Sequence, residues 1–140
     1  VVVRMIAEFE KSPLHSRVIN INELDKSQLI IDSRHPARYT GEIKSIDKVA
    51  GHIPGAINRF WKNNLTEKGI FKSKQVLKQE FEQMLACIRP EDAIFYCGSG
   101  VTACHNLLAA THAGLNLPKL YAGSWSEWSS FPEKPIATKI

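Results

Sequence analysis

Short apolar runs along the chain predict the strands of a sheet. Residues 29–31 and 93–96 are continuous apolar runs of strand length, and the first is closed by Asp32. Residues 119–122 form a further short run, and residues 51–58 (GHIPGAIN) predict a turn that leads into another strand. These runs are too short to reveal the order of the strands in a sheet.

Longer stretches between these runs have the spacing of amphipathic helices. Residues 73–88 form a stripe that begins at Ser73, a good N-cap. A second helix is predicted at about 101–113, where Gly114 ends it, and GSWSEW near the C-terminus predicts a last turn or short helix. Strands that alternate with helices predict an α/β domain with a parallel sheet. The apolar positions of the first stripe are Val76, Leu77, Phe81, Met84, Leu85 and Ile88.

Composition limits the classes of protein. The 140 residues, 44% hydrophobic and 23% charged, predict one globular domain. The net charge is +4, but the basic residues are scattered, so we expect no nucleic-acid partner. No apolar run approaches the roughly 20 residues that span a bilayer, so we expect no membrane partner. Three cysteines without paired spacing favour a reducing compartment, the cytoplasm or, in a eukaryote, the mitochondrion. Because Val1 and not Met comes first, we expect a processed chain or part of a larger one.

Cys97 lies between the predicted strand at 93–96 and the predicted helix at 101–113, and Gly98 and Gly100 follow it. In an open parallel sheet, ligands bind beyond the carboxyl ends of the strands. Glycines let such a loop turn its N–H groups inward, and the helix N-terminus adds positive potential, so the loop can hold an anion. The predicted anion is the Cys97 thiolate or a group attached to it. The alternative is a small buried apolar residue at a strand end.

Two other kinds of site fit the loop less well. A cysteine phosphatase needs an arginine six positions after the cysteine, and that position is Ala103. Zinc binding by Cys97, Cys104 and His105 lacks two close pairs of ligands, so we predict no metal. On the following helix, the pattern favours a core face of Cys104, Leu107 and Leu108, with His105 and His112 solvated on another face.

Four segments together resemble one known family. CGSGVTAC is similar to the active-site loop of 3-mercaptopyruvate sulfurtransferases in the rhodanese superfamily, and IIDSRHPARYTGE, GHIPGAIN and GSWSEW resemble other family segments in the same order. The resemblance implies a three-layer domain at 18–140, with helices on both faces of a mostly parallel sheet. It makes residues 1–17 an N-terminal segment or linker remnant. The chain looks like the C-terminal catalytic domain of a tandem sulfurtransferase.

The resemblance also implies a reaction and its residues. Cys97 would take sulfur from 3-mercaptopyruvate or thiosulfate as a persulfide, and a thiol such as thioredoxin or glutathione, or cyanide, would collect it. Ser99 would lie beside the sulfur and orient or relay a proton. Arg38 would hold the donor carboxylate or, alternatively, brace the loop through an acidic neighbour such as Asp32 or Glu42. No metal or cofactor is needed, because backbone N–H groups stabilise the thiolate and the persulfide. The loop residues assigned to substrate binding are Gly98, Gly100, Val101 and Thr102.

The chain resembles only the second of two family domains. In tandem members, a preceding rhodanese-like domain covers the site and supplies an acidic and a histidine side chain that complete a proton relay. Gly98 and Ser99 are neutral, whereas thiosulfate-specific members usually carry basic residues there, so we expect 3-mercaptopyruvate to be preferred. A single-domain persulfide carrier and a non-catalytic recognition module remain alternatives. Asp32 and Arg34 are expected to make structural hydrogen bonds, and His52 is expected to be a turn residue.

Overall fold

The structure is a computed structural model that describes residues 17–43 and 46–139. Apart from Arg17, the predicted N-terminal segment at 1–17 lies outside the described residues. Within the described part, one sheet has the strand order β1-β5-β4-β2-β3, and all of its pairs are parallel, so the predicted α/β class is confirmed. The strands are β1 (Val18–Ile19), β2 (Ile30–Asp32), β3 (Ile57–Asn58), β4 (Ile94–Tyr96) and β5 (Lys119–Tyr121).

The helices follow from local signals in the sequence. Ser73 caps the second helix, because its hydroxyl accepts a hydrogen bond from the N–H of Val76 at 3.3 Å. None of the helices in 17–43 and 46–139 is long and apolar enough to cross a membrane. The α-helices are α1 (Pro36–Tyr39), α2 (Lys74–Leu85), α3 (Val101–His112) and α4 (Ser124–Trp128), and short 3-10 helices cover Ile21–Glu23, Trp61–Asn64 and Pro90–Asp92.

Successive side chains of the central strands pack into two separate cores. Ile31 in β2 and Phe95 in β4 face α2 and α3, where they join a cluster that includes Leu77, Phe81 and Leu107. Their neighbours along the strands face the opposite side, together with residues of α1 and α4. The sheet therefore has helices on both faces, as the resemblance implied. The second core contains Ile19, Ile30, Tyr39, Ile53, Ala56, Ile94, Tyr96, Tyr121, Trp125 and Trp128.

The predicted core face of α3 is wrong at two positions. Leu107 is 8% exposed, as predicted, but Leu108 is 57% exposed and Cys104 is exposed too. The buried stripe runs through Ala103, Leu107 and Ala110, between the sheet and α2. Because each helical residue is turned by about 100° from the one before it, Cys104 and Leu108 point away from that core.

The prediction that both histidines of α3 are solvated is wrong for His105, which is partly buried. It is confirmed for His112, which is exposed. The His105 ring is partly buried, with its centroid 4.9 Å from the Trp61 ring and 5.1 Å from the Phe71 ring. Its Nδ1 lies 3.2 Å from the side-chain amide nitrogen of Asn64. Burial lowers the pKa of His105 below the ordinary value. The segment at 61–71, in which the sequence shows no periodic pattern, folds over this side of α3.

The topology creates a crevice at the carboxyl ends of β2 and β4. These strands are neighbours in the sheet, but the chain leaves β2 for α1 on one face and leaves β4 for α3 on the other. Such a reversal separates the two loops and opens a space between them. The loop that contains Cys97 follows β4 and therefore lines this crevice.

Candidate active site

The loop after β4 places Cys97 at the N-terminus of α3. Gly100 is the N-cap, with φ of +84° in the left-handed region, and a Cβ there would lie 2.8 Å from the carbonyl oxygen of Ala122. Only glycine fits both conditions without strain. The Cys97 residue is 1% exposed. The local geometry therefore matches the predicted turn between a buried strand and a helix.

The segment at the start of α4 holds this loop through its carbonyl groups. The N–H of Trp125 donates to the Cys97 carbonyl at 3.0 Å, and the N–H of Ser126 donates to the Gly98 carbonyl at 2.9 Å. The Ser126 hydroxyl donates to the same Gly98 oxygen at 2.6 Å. The N–H of Cys97 donates to the hydroxyl of Ser124 at 3.1 Å. Ser124 and Ser126 are therefore structural parts of the loop that the sequence patterns did not reveal.

These contacts fix the direction of the free N–H groups. In a trans peptide the C=O and N–H point in opposite directions. Because the carbonyls of Cys97 and Gly98 point toward α4, the N–H groups of Gly98 and Ser99 point away from it. In the described part of the chain, no group accepts a hydrogen bond from the N–H of Gly98, Ser99 or Gly100. The loop therefore presents unpaired donors, which suit an anion.

A cavity of about 310 Å³ brings most of the predicted site residues together. Gly100 shapes the loop from behind and does not line the cavity. Three lining residues were missed by the sequence patterns, namely Ile46, Asp47 and Ser126. The predicted residues that line it are Arg38, Cys97, Gly98, Ser99, Val101 and Thr102.

Arg38 reaches the cavity from α1 and is paired with an acid. Its Nε and Nη2 each donate to a different carboxylate oxygen of Asp47 at 2.7 Å. The bracing alternative expected an acidic neighbour and gave Asp32 and Glu42 as examples, and the acid that Arg38 contacts is instead Asp47. The guanidinium lies close against the loop, because a Cβ at Gly98 would be only 2.9 Å from Nη2. Glycine at position 98 therefore makes room for Arg38.

Asp32 and Arg34 form a buried ion pair at the end of β2, in agreement with the structural role expected for them. Arg34 Nη2 lies 2.6 Å from an Asp32 carboxylate oxygen, and both side chains are fully buried. The guanidinium is 5.0 Å from the centroid of the Trp125 ring and also donates to the carbonyl of Gly51 at 2.7 Å. Burial opposes the charge, yet the hydrogen bond and charge of Asp32 keep the pKa of Arg34 above its ordinary value.

Asn106 links α3 to the loops on the far side of the crevice. It is fully buried, and its amide nitrogen donates at 2.9 Å both to the Ser33 hydroxyl and to the Arg59 carbonyl. Its amide oxygen accepts from Asn64 at 2.7 Å. Arg59 extends the network to Glu80 of α2 at 2.9 Å. This network fixes α3, and with it the cysteine loop, against the rest of the domain.

Cys104 does not share the environment of Cys97. Partial desolvation of the otherwise exposed Cys104 and the neighbouring Cys97 raise the pKa of the Cys104 thiol, which donates its hydrogen to the Gly100 carbonyl at 3.3 Å. Cys104 is therefore held as a neutral thiol. In the described part of the chain, no three His, Cys, Asp or Glu side chains are grouped closely enough to hold a metal ion.

Sulfurtransferases of other organisms are similar in sequence to this chain. A probable 3-mercaptopyruvate sulfurtransferase of Pseudomonas aeruginosa is 49% identical over 109 residues, which cover 78% of this chain and 38% of that protein. A thiosulfate sulfurtransferase of Gallus gallus is 41% identical over 112 residues, which cover 79% of this chain and 37% of that protein. The chain thus spans less than two fifths of the length of these relatives.

The structure and the family model lead to the same assignment. The solved 3-mercaptopyruvate sulfurtransferase of Leishmania major superposes with a TM-score of 0.75 at 33% identity, covering 86% of this chain and 34% of that one. Residues 17–131 match the model of the rhodanese-like domain. With this match over most of its length and a parallel α/β sheet that ends in the cysteine loop, the chain belongs to the rhodanese family.

Proposed function

We propose that this chain is the catalytic domain of a sulfurtransferase that carries sulfur on Cys97. One observation carries the proposal: Cys97, the unpaired N–H groups of its loop and the guanidinium of Arg38 meet at one cavity. Residues 18–140 form the catalytic domain in this proposal, and residues 1–17 are a leading segment or linker. The sulfurtransferase names of the relatives support the same activity.

The first half-reaction transfers one sulfur atom without an external oxidant. The Cys97 thiolate attacks the sulfur of 3-mercaptopyruvate, an S–S bond forms, and the C–S bond breaks with its electron pair going to carbon. The departing enolate of pyruvate takes up the proton that the donor thiol carried. Ser99, an exposed residue that lines the cavity, would relay this proton through its hydroxyl. Cys97 is left as a persulfide.

The second half-reaction returns the cysteine to its starting state. An acceptor thiolate attacks the outer sulfur, a new S–S bond forms on the acceptor, and the Cys97 thiolate leaves. The free N–H groups of Gly98 and Ser99 would stabilise the charge on sulfur in both the thiolate and the persulfide states. Each hydrogen bond to a charged group contributes about 1.5 to 3 kcal/mol. Two such donors would therefore stabilise the negative charge on sulfur strongly. The acceptor class is a small or protein thiol, such as glutathione or thioredoxin, or cyanide.

The charge of the cavity favours a donor with a single carboxylate. Among the lining residues that the structure describes, Arg38 is the one basic side chain, and Asp47 already pairs with part of its guanidinium. The planar guanidinium group of an arginine binds a carboxylate through two parallel hydrogen bonds. We therefore propose 3-mercaptopyruvate as the preferred donor and thiosulfate as the weaker one.

The greater length of the relatives supports a second structural proposal. A preceding rhodanese-like domain would cover the cavity and complete the proton relay to Ser99. We place the reaction in the cytoplasm, or in the mitochondrion of a eukaryote, because the described cysteines are all free thiols.

Mass spectrometry of the intact protein tests the carrier role of Cys97. After incubation with 3-mercaptopyruvate and removal of the excess, we expect the mass to increase by one sulfur atom. Cys97→Ser should abolish this gain, whereas the matched control Cys104→Ser should keep it. Retention of the gain in Cys97→Ser would contradict the assignment. A recognition module would show no gain in any of the three proteins, and a carrier without catalysis would show the gain without turnover of acceptor thiols.

A further inference from the structure

Four charged side chains form a continuous chain from β2 to the cavity. Asp32 pairs with Arg34, Arg34 Nη1 lies 3.4 Å from Asp47, and Asp47 pairs with Arg38 at 2.7 Å. The signs alternate, so the charges of the four groups cancel. The side chains of Asp32 and Arg34 are fully buried, that of Asp47 is 6% exposed and that of Arg38 is 20% exposed. Asp47 is therefore the single acid that bridges both guanidinium groups.

Asp47 occupies one defined edge of the Arg38 guanidinium. It accepts from Nε and from one Nη2 hydrogen, which leaves the second Nη2 hydrogen and both Nη1 hydrogens. In the part of the chain that the structure describes, these remaining hydrogens have no acceptor. The free edge runs along the cysteine loop, since a Cβ at Gly98 would lie 2.9 Å from Nη2 and 3.9 Å from Nη1. These hydrogens are the ones that remain for a donor carboxylate.

Asp47 also determines the charge that a donor meets. Arg38 and Asp47 are the only ionisable residues that line the described cavity besides Cys97, so the two charges cancel before any donor enters. A second negative charge on a donor would meet the Asp47 carboxylate, and the described residues that line the cavity offer no second cation to balance it. Exclusion of a competitor by repulsion is a common source of specificity.

We propose that Asp47 is the positioning residue that sets donor preference in this site. It holds Arg38 with one edge toward the carboxylate of a keto-thiol acid, and it cancels the charge that would attract a dianion such as thiosulfate. The inference rests on the sulfurtransferase function proposed above. Asp47 acts through Arg38 and has no contact with the reacting sulfur in this account.

The test compares kcat/KM for 3-mercaptopyruvate and for thiosulfate in the full-length protein. Asp47→Asn removes the charge and one acceptor oxygen, and we expect the ratio of the two constants to fall by about 10-fold or more, the effect of one lost charge-assisted contact. The main change with 3-mercaptopyruvate should be a higher KM. Asp47→Glu keeps the charge and the fork and should restore most of the preference.

Glu42→Gln is the matched control. It removes one negative charge from the same loop, but Glu42 is exposed and makes no hydrogen bond with the described residues. The ratio of kcat/KM for 3-mercaptopyruvate to kcat/KM for thiosulfate in Glu42→Gln should equal that of the unaltered protein. A similar shift in Glu42→Gln, or an Asp47→Asn protein in which both constants fall equally together with the melting temperature, would overturn the proposal.

Two further measurements keep the outcomes separate. If no persulfide forms on Cys97 with either donor, the proposed function fails and this inference fails with it. A persulfide with an unchanged donor ratio overturns the role of Asp47 alone. If Asp47→Asn does not fold, the test uses the unaltered protein. The measured quantity is then the concentration of an anion that protects Cys97 against alkylation. Pyruvate should protect at lower concentration than sulfate, and equal or better protection by sulfate would refute the inference.

Discussion

The backbone N–H of Cys97 donates a hydrogen bond to the Ser124 hydroxyl, which in turn donates to the carbonyl of Tyr121 at 3.0 Å. Ser124 is fully buried and has φ of +57°, a conformation that costs a non-glycine residue about 1 kcal/mol or more. The two hydrogen bonds of the Ser124 hydroxyl offset this cost, and they join the cysteine loop to the end of β5. The shape of the loop therefore depends on a residue 27 positions further along the chain.

Ser124→Ala should weaken the loop. The N–H of Cys97 loses its partner in a buried place, which costs about 1 to 3 kcal/mol. We expect a lower melting temperature and slower alkylation of Cys97 by a thiol reagent. Ser130→Ala is the control, because that hydroxyl is exposed and bonds only to the Glu127 carbonyl. Unchanged alkylation and stability in Ser124→Ala would show that the loop does not need this contact.

Gly98→Ala should displace Arg38. The added methyl would lie 2.9 Å from Nη2, and the arginine side chain must move to make room. We expect a higher KM for 3-mercaptopyruvate with the Cys97 persulfide still formed at saturating donor. A double-mutant cycle with Arg38→Ala checks the mechanism, because both changes affect one contact and their effects should not add. Additive losses would mean that Gly98 acts independently of Arg38.

Arg38→Lys should be harmful although the charge is kept. An ammonium group cannot offer two parallel hydrogen bonds, and the loss predicts a kcat/KM for 3-mercaptopyruvate lower by about 10- to 150-fold. The melting temperature and the alkylation rate of Cys97 should stay near their original values. Arg89→Lys, which changes the exposed pair with Asp92, should leave all three measurements unaltered. If stability and thiol reactivity fall together with turnover, Arg38 has a structural role in the loop and does not bind the donor.

Asn106→Leu should destabilise the domain strongly. The substitution leaves the buried side-chain amide of Asn64 and the Arg59 carbonyl without their partner, at about 1 to 3 kcal/mol for each unsatisfied group. Urea unfolding should show a clearly lower midpoint. Asn116→Leu is the control, because Asn116 is exposed and pairs only with Glu91. Equal midpoints for the two variants would contradict the importance of the buried network.

The buried His52 ring should make the fold sensitive to acid. Its Nδ1 lies 2.7 Å from the Tyr39 carbonyl, which can only accept, so Nδ1 carries the hydrogen of a neutral ring. Burial lowers the pKa of His52 below its ordinary 6.5. The unfolded chain therefore binds more protons, and the free energy of unfolding decreases as pH falls below about 6.5 toward the lowered value.

Comparison of His52→Gln with the unaltered protein measures this contribution. The variant should lose less stability between neutral and mildly acidic pH, although His105, whose pKa burial also lowers, will still contribute. His112→Gln, which alters an exposed ring, measures how much of the change comes from replacing any one histidine. An acid dependence that is identical in His52→Gln and the unaltered protein would assign the effect to other groups.

Local patterns in the sequence were enough to predict much of the fold. The serine cap and apolar stripe predicted α2, and the apolar run followed by glycines predicted β4 and the loop of Cys97. Each of these signals lies within a few residues of the element that it predicts. The strand β1, only two residues long, and the strand order depend on contacts between distant segments, so no local pattern contains them.

The residues of the candidate site that the sequence singled out are those whose type carries its own chemistry. Cys97, Gly98 and Arg38 fall in recognisable segments, and all three line the cavity. Asp47 and Ser126 were not predicted to line the cavity, because neither lies in a periodic pattern. An acidic residue or a serine in a loop is usually solvated. The core face of α3 was misjudged at Leu108 because this helix is apolar around most of its circumference, so its sequence does not single out one stripe.

The order of the strands has a consequence for synthesis of the protein. β5 is the strand that joins β1 to β4, and the residues that hold the cysteine loop, 124–126, follow it. A ribosome makes the chain from its N-terminus, so the Cys97 thiol emerges before any of these partners. Until β5 and α4 have emerged, the thiol lies in an unshaped segment without its fixed N–H donors. If Cys97 carries sulfur as proposed, loading of the persulfide would therefore follow folding of the domain, and an unfinished chain would not yet compete for the donor.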